Sequence, residues 1–426
     1  MDFKEHLLNS LPSEEVRLLL NSFSQKDEHA VLLNLYKISD EEFVKEFPLV
    51  KPHKIVPHAY IYDKEVYPLG KHLYHELGYY YLQDPSAMVS SSLIDFKEND
   101  LVLDLCAAPG GKSVQASLKM NGKGLIVSND ISTSRANLIS NNAERLGLRN
   151  LLIVNNDFSK VSHQYQNTFD KIILDAPCSG SGMFRKNELM ESDWSINKVE
   201  KFAQIQKELI LMSYDMLKEG GLLSYSTCSY SMEEDEEVIE YLLNNRDAKI
   251  EQISIEGGYI NPKKPLGIRL HPSHFEGEGQ YICHIRKPGT LKETIFKNKN
   301  SFKEYLVSSF DNSDVQKYGD YLFALSNSFN TKNLHVIRYG VKVGELNKNY
   351  FKFDLHYARS LNKSDKFPRV ELTLEEVKQY LQGNVIRKDA QKGYVAITYK
   401  DNVIDITKND GMTIKNNYPK GLRKRF

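Results

Sequence analysis

A regular alternation of apolar and helical segments begins at Leu101 and limits the folds that this chain can adopt. Short runs that are mostly apolar are separated by segments with helical spacing, and the runs are LVLDL, GKGLIVSND, LLIVNND, DKIILDAP and GGLLSYSTC. Strands that are apolar on both faces and separated by helices are typical of a parallel sheet with helices on both sides. We therefore predict an α/β fold with a doubly wound, Rossmann-like sheet. Ligands of such sheets bind beyond the carboxyl ends of the strands.

Different patterns flank this region. Residues 1 to about 50 show helical spacing, and Ser13 is predicted to be a helix N-cap because acidic residues follow it. The next residues are rich in proline and aromatic side chains, which favours short strands or irregular structure. After residue 288, shorter alternating stretches such as NLHVIRYGVKVGEL predict a mixed or mostly β module.

The charge is distributed unevenly along the chain. The 426 residues carry 56 basic and 56 acidic side chains, but from Lys292 onward about 25 are basic and about 15 are acidic. A basic part of this kind suits an anionic polymer, and a solvated tail is the alternative. No apolar run approaches the ~20 residues of a membrane span, and no signal peptide is recognisable, so we expect a cytoplasmic protein without membrane contact.

The first turn after Leu101 predicts a nucleoside site. In LVLDLCAAPGGKS, a predicted strand leads into a turn of small residues. The segment has neither a GxGxxG nor a GxxxxGK[ST] pattern, which disfavours a dinucleotide or a nucleoside triphosphate as the ligand. Asp130 ends the next strand run, where an acid can accept hydrogen bonds from both ribose hydroxyls, and Asp157 ends the following run, near where a base would sit. S-adenosylmethionine fits this pattern, and acids that merely cap helices are the alternative. The candidate cofactor-binding residues are Cys106, Ala107, Ala108, Pro109, Gly110, Gly111, Lys112, Asp130, Asp157 and Asp175.

Two cysteines stand at predicted strand ends. Cys178 lies in LDAPCSGSGMFRK and Cys228 lies in YSTCSYSMEED. CAAPGGKS, DAPCSGSG and STCSYSMEEDE occur in the order found in the Sun/Nop family of RNA cytosine-5 methyltransferases, which the chain resembles from residue 78 to residue 287. LHVIRYGVKVGEL and the terminal NNYPKGLR resemble the C-terminal module of the bacterial 16S ribosomal RNA branch of that family.

The resemblance implies an enzyme that transfers a methyl group from S-adenosylmethionine to carbon 5 of cytosine in RNA. Its implied partner is small-subunit ribosomal RNA or the 30S particle, with the enzyme as a monomer. In this family Cys228 would be the nucleophile that attacks carbon 6, Cys178 would assist release by proton transfer, and Asp175 would contact the base. The alternatives are Cys178 as the nucleophile, a transfer RNA substrate, methylation of an exocyclic nitrogen, and a non-catalytic RNA-binding assembly factor.

The resemblance also divides the chain. We predict an N-terminal RNA-binding lead-in at residues 1–95, a methyltransferase domain at 96–288 and a basic, PUA-like RNA-binding module at 289–426. The family's RNA-facing segment is matched by Arg269 and the GEG turn at residues 277–279. The tyrosines of HELGYYYLQDP are expected either to stack on bases or to pack at a domain edge.

A metal site is not expected. His271, His274, Cys283 and His284 are close in sequence, but their spacing matches no common zinc pattern. The cysteines stand singly, without a CxxC pair, and are expected to be free thiols.

Overall fold

A twisted central sheet organises the protein, whose computed structural model describes residues 2–185, 192–348 and 350–424. Every predicted strand run forms a strand of this sheet, and these strands are mutually parallel. From one edge to the other the order is Lys249–Glu251, Gln280–Arg286, Leu217–Thr227, Phe169–Asp175, Leu101–Asp104, Leu125–Asn129, Leu151–Val154 and Val336–Tyr339. Ile268–Leu270 pairs with Gln280–Arg286, which itself runs antiparallel to its neighbours.

Helices cover both faces of this sheet, as the apolar runs require. Alternate residues of one strand enter different cores: Leu103 packs with the helices Ile196–Met216 and Glu236–Asn245, whereas Val102 packs with Gly111–Lys119 and Thr133–Leu146. Each such aliphatic side chain stabilises the fold by about 1.5–3 kcal/mol when it is fully buried. The predicted α/β class is confirmed.

The N-terminal part forms a smaller sheet with short helices. Its strands are ordered Lys51–Pro52, Ala59–Tyr62, His29–Leu33 and Tyr80–Gln83. Its helices are Phe3–Ser10, Ser13–Ser22, Asp40–Glu46, Leu73–Glu76 and Pro85–Ser92. The predicted N-cap at Ser13 is wrong, because Ser13 is already helical and Pro12 is the N-cap. Tyr79, Tyr80 and Tyr81 are buried, so they pack in the core and are not displayed for base stacking.

The C-terminal part is mostly β, as predicted. One sheet is ordered Asp314–Tyr318, Tyr321–Leu325, Val341–Asn347 and Tyr350–Phe353. The other is ordered Arg369–Glu371, Gly393–Tyr399, Asn402–Asn409, Thr413–Ile414 and Ile386–Arg387. The helices Leu355–Arg359 and Leu374–Gln382 pack with these strands.

The strand Val336–Tyr339 links the C-terminal part to the central sheet, since it pairs with Leu151–Val154. The boundaries at residues 95 and 288 stay a prediction, and Met1, Arg425 and Phe426 of the predicted outer parts lie outside the described residues. No helix within the described ranges has the length and apolar character that a membrane span requires.

Candidate active site

A cavity of about 720 Å³ opens where the parallel strands end. Its lining includes residues that directly follow four of these strands, namely Leu105, Asp130, Ala176 and Cys228. The predicted site residues that line it are Cys106, Ala108, Asp130, Asp157, Asp175, Cys178 and Cys228. The predicted residues Ala107, Pro109, Gly110, Gly111 and Lys112 belong to the adjoining turn and helix start, outside this lining. The structure therefore gathers the two cysteines and the predicted cofactor acids around one space.

The turn after the first parallel strand is held by close backbone contacts. Gly110 has a φ of 109° and caps the helix Gly111–Lys119, and this positive φ favours glycine. The Ala107 N–H donates to the carbonyl oxygen of Asn129 at 2.7 Å. The Asn129 amide in turn donates to the carbonyl oxygen of Leu105 at 3.0 Å, so Asn129 joins two strand ends. Sequence reasoning did not single out Asn129, although an amide that ends an apolar run is a usable signal.

The acids at the next strand ends are already oriented. Asp130 is buried, accepts a hydrogen bond from the Ser132 N–H at 2.9 Å and lies 3.4 Å from the Arg135 guanidinium. Asp157 accepts hydrogen bonds from the N–H and the hydroxyl of Ser159 at 3.1 and 2.6 Å. Both carboxylates line the cavity with orientations fixed by their own loops.

Asp104 is a further acid that the sequence analysis missed. It is completely buried, and one carboxylate oxygen accepts a hydrogen bond from the Ser113 hydroxyl at 2.7 Å. The other oxygen has no hydrogen-bond partner among the described residues. Burial raises the pKa of Asp104 to about 7. Asp104 directly precedes the lining residue Leu105 but is not itself among the residues that line the cavity.

The sulfur atoms of Cys178 and Cys228 lie 3.1 Å apart at the ends of two neighbouring parallel strands. The loops that carry them are joined by a hydrogen bond of 2.7 Å from the Gly182 N–H to the carbonyl oxygen of Cys228. The hydrogen bond to Cys228, together with burial, raises the pKa of the Cys178 thiol well above its ordinary value. Cys178 therefore stays a neutral thiol beside Cys228 in the free protein.

Asp175 lies beside the cysteines and is held from three sides. One carboxylate oxygen accepts hydrogen bonds from the Ser226 hydroxyl at 2.7 Å and from the Gln280 amide at 3.0 Å. The other pairs with the Lys112 ammonium at 2.7 Å. The Lys112 side chain is buried, whereas the Asp175 side chain is 37% exposed. The carboxylate is thus oriented but still open to a ligand in the cavity.

The segment matched to the family's RNA-facing side differs from the expectation. Arg269 is fully buried and pairs with the carboxylates of Asp235 and Glu236, so it is not available to contact RNA. Both His271 and His274 bind the carboxylate of Glu15. Among the described residues, no group of three or more His, Cys, Asp or Glu side chains could hold a metal ion.

Two family profiles match the chain. Residues 91–286 match "16S rRNA methyltransferase RsmB/F", and residues 367–424 match "Methyltransferase RsmF PUA domain". The first match spans the parallel strands and both cysteines. The second match contains the whole five-stranded C-terminal sheet, from Arg369 to Ile414.

Individual RNA methyltransferases and a solved structure are also similar to this chain. The Ribosomal RNA small subunit methyltransferase F of Psychromonas ingrahamii is 30% identical over 395 residues, which cover 84% of this chain and 82% of that protein. The tRNA (cytosine(49)-C(5))-methyltransferase of Pyrococcus abyssi is 38% identical over 230 residues, covering 51% of this chain and 74% of that protein. The crystal structure of a methyltransferase homologue from Pyrococcus horikoshii superimposes with a TM-score of 0.59 and 27% identity, over 66% of this chain and 93% of that one.

Proposed function

Because the chain belongs to the RsmB/F family of 16S rRNA methyltransferases, we propose that it methylates carbon 5 of a cytosine in 16S rRNA through a covalent bond to Cys228. The observation that carries this proposal is the pair of sulfur atoms 3.1 Å apart, beside the oriented carboxylate of Asp175. Methylation of an exocyclic nitrogen needs no thiol at all, so it gives no reason for this arrangement. Membership of the family confirms the predicted RNA methyltransferase activity and the cofactor S-adenosylmethionine.

The residues around the cavity fit this cofactor. When bound, S-adenosylmethionine supplies an electrophilic methyl group on a sulfonium. The lining acids Asp130 and Asp157 favour a ligand with positive charge and ribose hydroxyls. The turn from Cys106 to Lys112 would hold the ligand through its small residues.

Cys228 activates the base in the proposed reaction. Its thiolate forms a sulfur–carbon bond at carbon 6, and the ring electrons shift so that carbon 5 becomes nucleophilic. Asp175 would contact the amino group and ring nitrogen 3, where charge changes during this attack. Carbon 5 then accepts the methyl group. The target cytosine has to be unstacked to reach the cavity.

Cys178 then releases the product in the proposed reaction. Once Cys228 is bonded to carbon 6, its sulfur no longer accepts the Cys178 proton as a thiolate or carries negative charge, so two of the causes that raise the pKa of Cys178 disappear, whereas burial remains. Cys178 can then ionise by losing its proton to water, and its thiolate takes the proton from carbon 5. The electron pair of that carbon–hydrogen bond restores the ring double bond as the bond from carbon 6 to the Cys228 sulfur breaks.

A transfer RNA substrate is the second candidate, favoured by the relative from Pyrococcus abyssi. The similarity to that protein covers only half of this chain, whereas the match at residues 367–424 is to the PUA domain of the ribosomal enzyme. The basic residues of the C-terminal part would add affinity for the RNA backbone that salt weakens.

Nucleoside analysis tests the proposal. Purified protein is incubated with S-adenosylmethionine and either 16S rRNA, 30S particles or unmodified tRNA, and the digested nucleosides are identified by mass spectrometry. We expect 5-methylcytidine from ribosomal RNA. A methyl group on a nitrogen, or 5-methylcytidine from tRNA alone, would contradict the proposal in its reaction or in its substrate.

A further inference from the structure

Glu234 joins the two cysteine loops through a single carboxylate. One of its oxygens accepts a hydrogen bond from the Ser179 N–H at 2.8 Å. Its other oxygen accepts hydrogen bonds from the hydroxyls of Ser179 and Ser229. Ser179 directly follows Cys178, and Ser229 directly follows Cys228. Both reactive cysteines are therefore one residue away from the same anchor.

The surroundings of Glu234 reinforce this anchor. The Gln206 amide donates to Glu234 at 3.1 Å and also to the carbonyl oxygen of Pro177 at 2.8 Å, which fixes the residue before Cys178. The Tyr225 hydroxyl donates to the Glu234 carbonyl oxygen at 2.6 Å. The carboxylate is thus clamped to three separate segments of the chain.

The cost of burying this carboxylate suggests that it does more than fill space. Glu234 is completely buried, and no lysine, arginine or histidine among the described residues lies within ion-pair distance of its carboxylate. Burial raises the pKa of Glu234, although its hydrogen bonds oppose the rise. Burying a carboxylate that only neutral donors hold costs desolvation free energy. Buried ionisable groups with shifted pKa values cluster at functional sites.

We infer that Glu234 is a positioning residue that fixes the distance between the sulfur atoms of Cys178 and Cys228 for adduct formation and release. This inference rests on the proposed function, because it assigns both sulfurs to one reaction. A misplacement of about 1 Å can cost on the order of 100-fold in rate, so the anchor matters even though it touches no substrate. The negative charge of Glu234 has a second effect, because it also raises the pKa of the Cys178 thiol.

Kinetics of two variants test the positioning role. Glu234→Ala removes the anchor, and we expect kcat to fall about 100-fold while KM for RNA stays within about threefold. Glu234→Gln keeps the shape, and its amide can still accept from the Ser179 N–H and donate to the two hydroxyls. We therefore expect Glu234→Gln to recover most of the lost kcat. The neighbouring Glu233→Ala, whose carboxylate pairs with His6 instead, should retain the wild-type kcat.

A chemical readout works without RNA or cofactor. The rate at which iodoacetamide alkylates Cys178 is followed against pH, with each cysteine identified by peptide mass spectrometry. Glu234→Gln removes a negative charge near Cys178, so its alkylation profile should shift to lower pH than in the wild type. If Glu234→Ala fails to fold, Ser229→Ala takes its place, because it removes one hydroxyl that Glu234 holds, and its kcat should also fall.

The outcomes separate this inference from the proposed function. Wild-type protein that makes no 5-methylcytidine would contradict the function, whereas the alkylation profile would still report on Glu234. An unchanged kcat in Glu234→Ala, or a loss that lies entirely in KM, would overturn the positioning role. An unmoved Cys178 profile in Glu234→Gln would overturn the charge effect of Glu234 on that thiol.

Discussion

Replacing Lys112 tests whether Asp175 must be held by a cation. Lys112 lies at the start of the helix Gly111–Lys119, where the helix dipole disfavours a positive charge, yet its side chain is buried against Asp175 at 2.7 Å. At an effective dielectric constant of about 20, the attraction between the charges is about 6 kcal/mol before costs. Desolvation of Lys112 and solvent around the part-exposed Asp175 reduce this, and hydrogen bonds to charged groups contribute about 1.5–3 kcal/mol net.

We therefore expect Lys112→Met to raise the activation free energy by about 2 kcal/mol, which lowers kcat/KM for RNA about 30-fold. The assay is transfer of labelled methyl groups at saturating S-adenosylmethionine, so that weakened cofactor binding does not contribute. Lys119→Met, on the same helix but bonded to the carbonyl oxygens of Ser92 and Ile94, is the control and should remain near wild type. Activity of Lys112→Met within threefold of the control would refute the reasoning.

Burial and close packing elsewhere give three more expected outcomes. The pKa of Asp104 is about 7 in the folded protein and 3.8 ordinarily, so the wild-type protein loses stability as the pH rises through that interval. Asp104→Asn should therefore have a higher urea unfolding midpoint than the wild type at pH 8, but not at pH 4. A Cβ on Gly182 would lie 2.4 Å from the carbonyl oxygen of Cys228, so Gly182→Ala should slow methyl transfer about 100-fold, and an unchanged rate would contradict the packing. Arg269→Met leaves buried carboxylates unpaired and should lower the free energy of unfolding, measured in urea, by about 3–5 kcal/mol. Arg17→Met, which removes an exposed ion pair, is the control and should leave the unfolding midpoint unchanged.

The sheet could be predicted because its strands are buried on both faces. A strand such as Leu151–Val154 needs apolar residues at every position, and the resulting run is visible in the sequence. The end of a helix depends on finer balances. Ser13 has the right residue type and acidic neighbours for an N-cap, yet the helix begins one residue earlier than that prediction requires.

The candidate site was predictable in its position but not in its pairings. The motifs place Cys178 and Cys228 at strand ends, and the parallel sheet brings those ends together. The contacts of Glu234 join loops that are far apart in sequence, and an acidic residue in a charged run gives no sign of being buried. Arg269 was misjudged for the same reason, since its acidic partners are specified only by the fold.

The role of Cys228 as the nucleophile is tested most directly by trapping the protein on RNA. Cys178→Ala, Cys228→Ala and the double variant are incubated with 16S rRNA and labelled S-adenosylmethionine, and the products are separated on a denaturing gel. We predict a labelled protein–RNA adduct that accumulates in Cys178→Ala and is absent from Cys228→Ala and the double variant. An adduct that accumulates in Cys228→Ala instead, or unimpaired methylation by both single variants, would contradict the account.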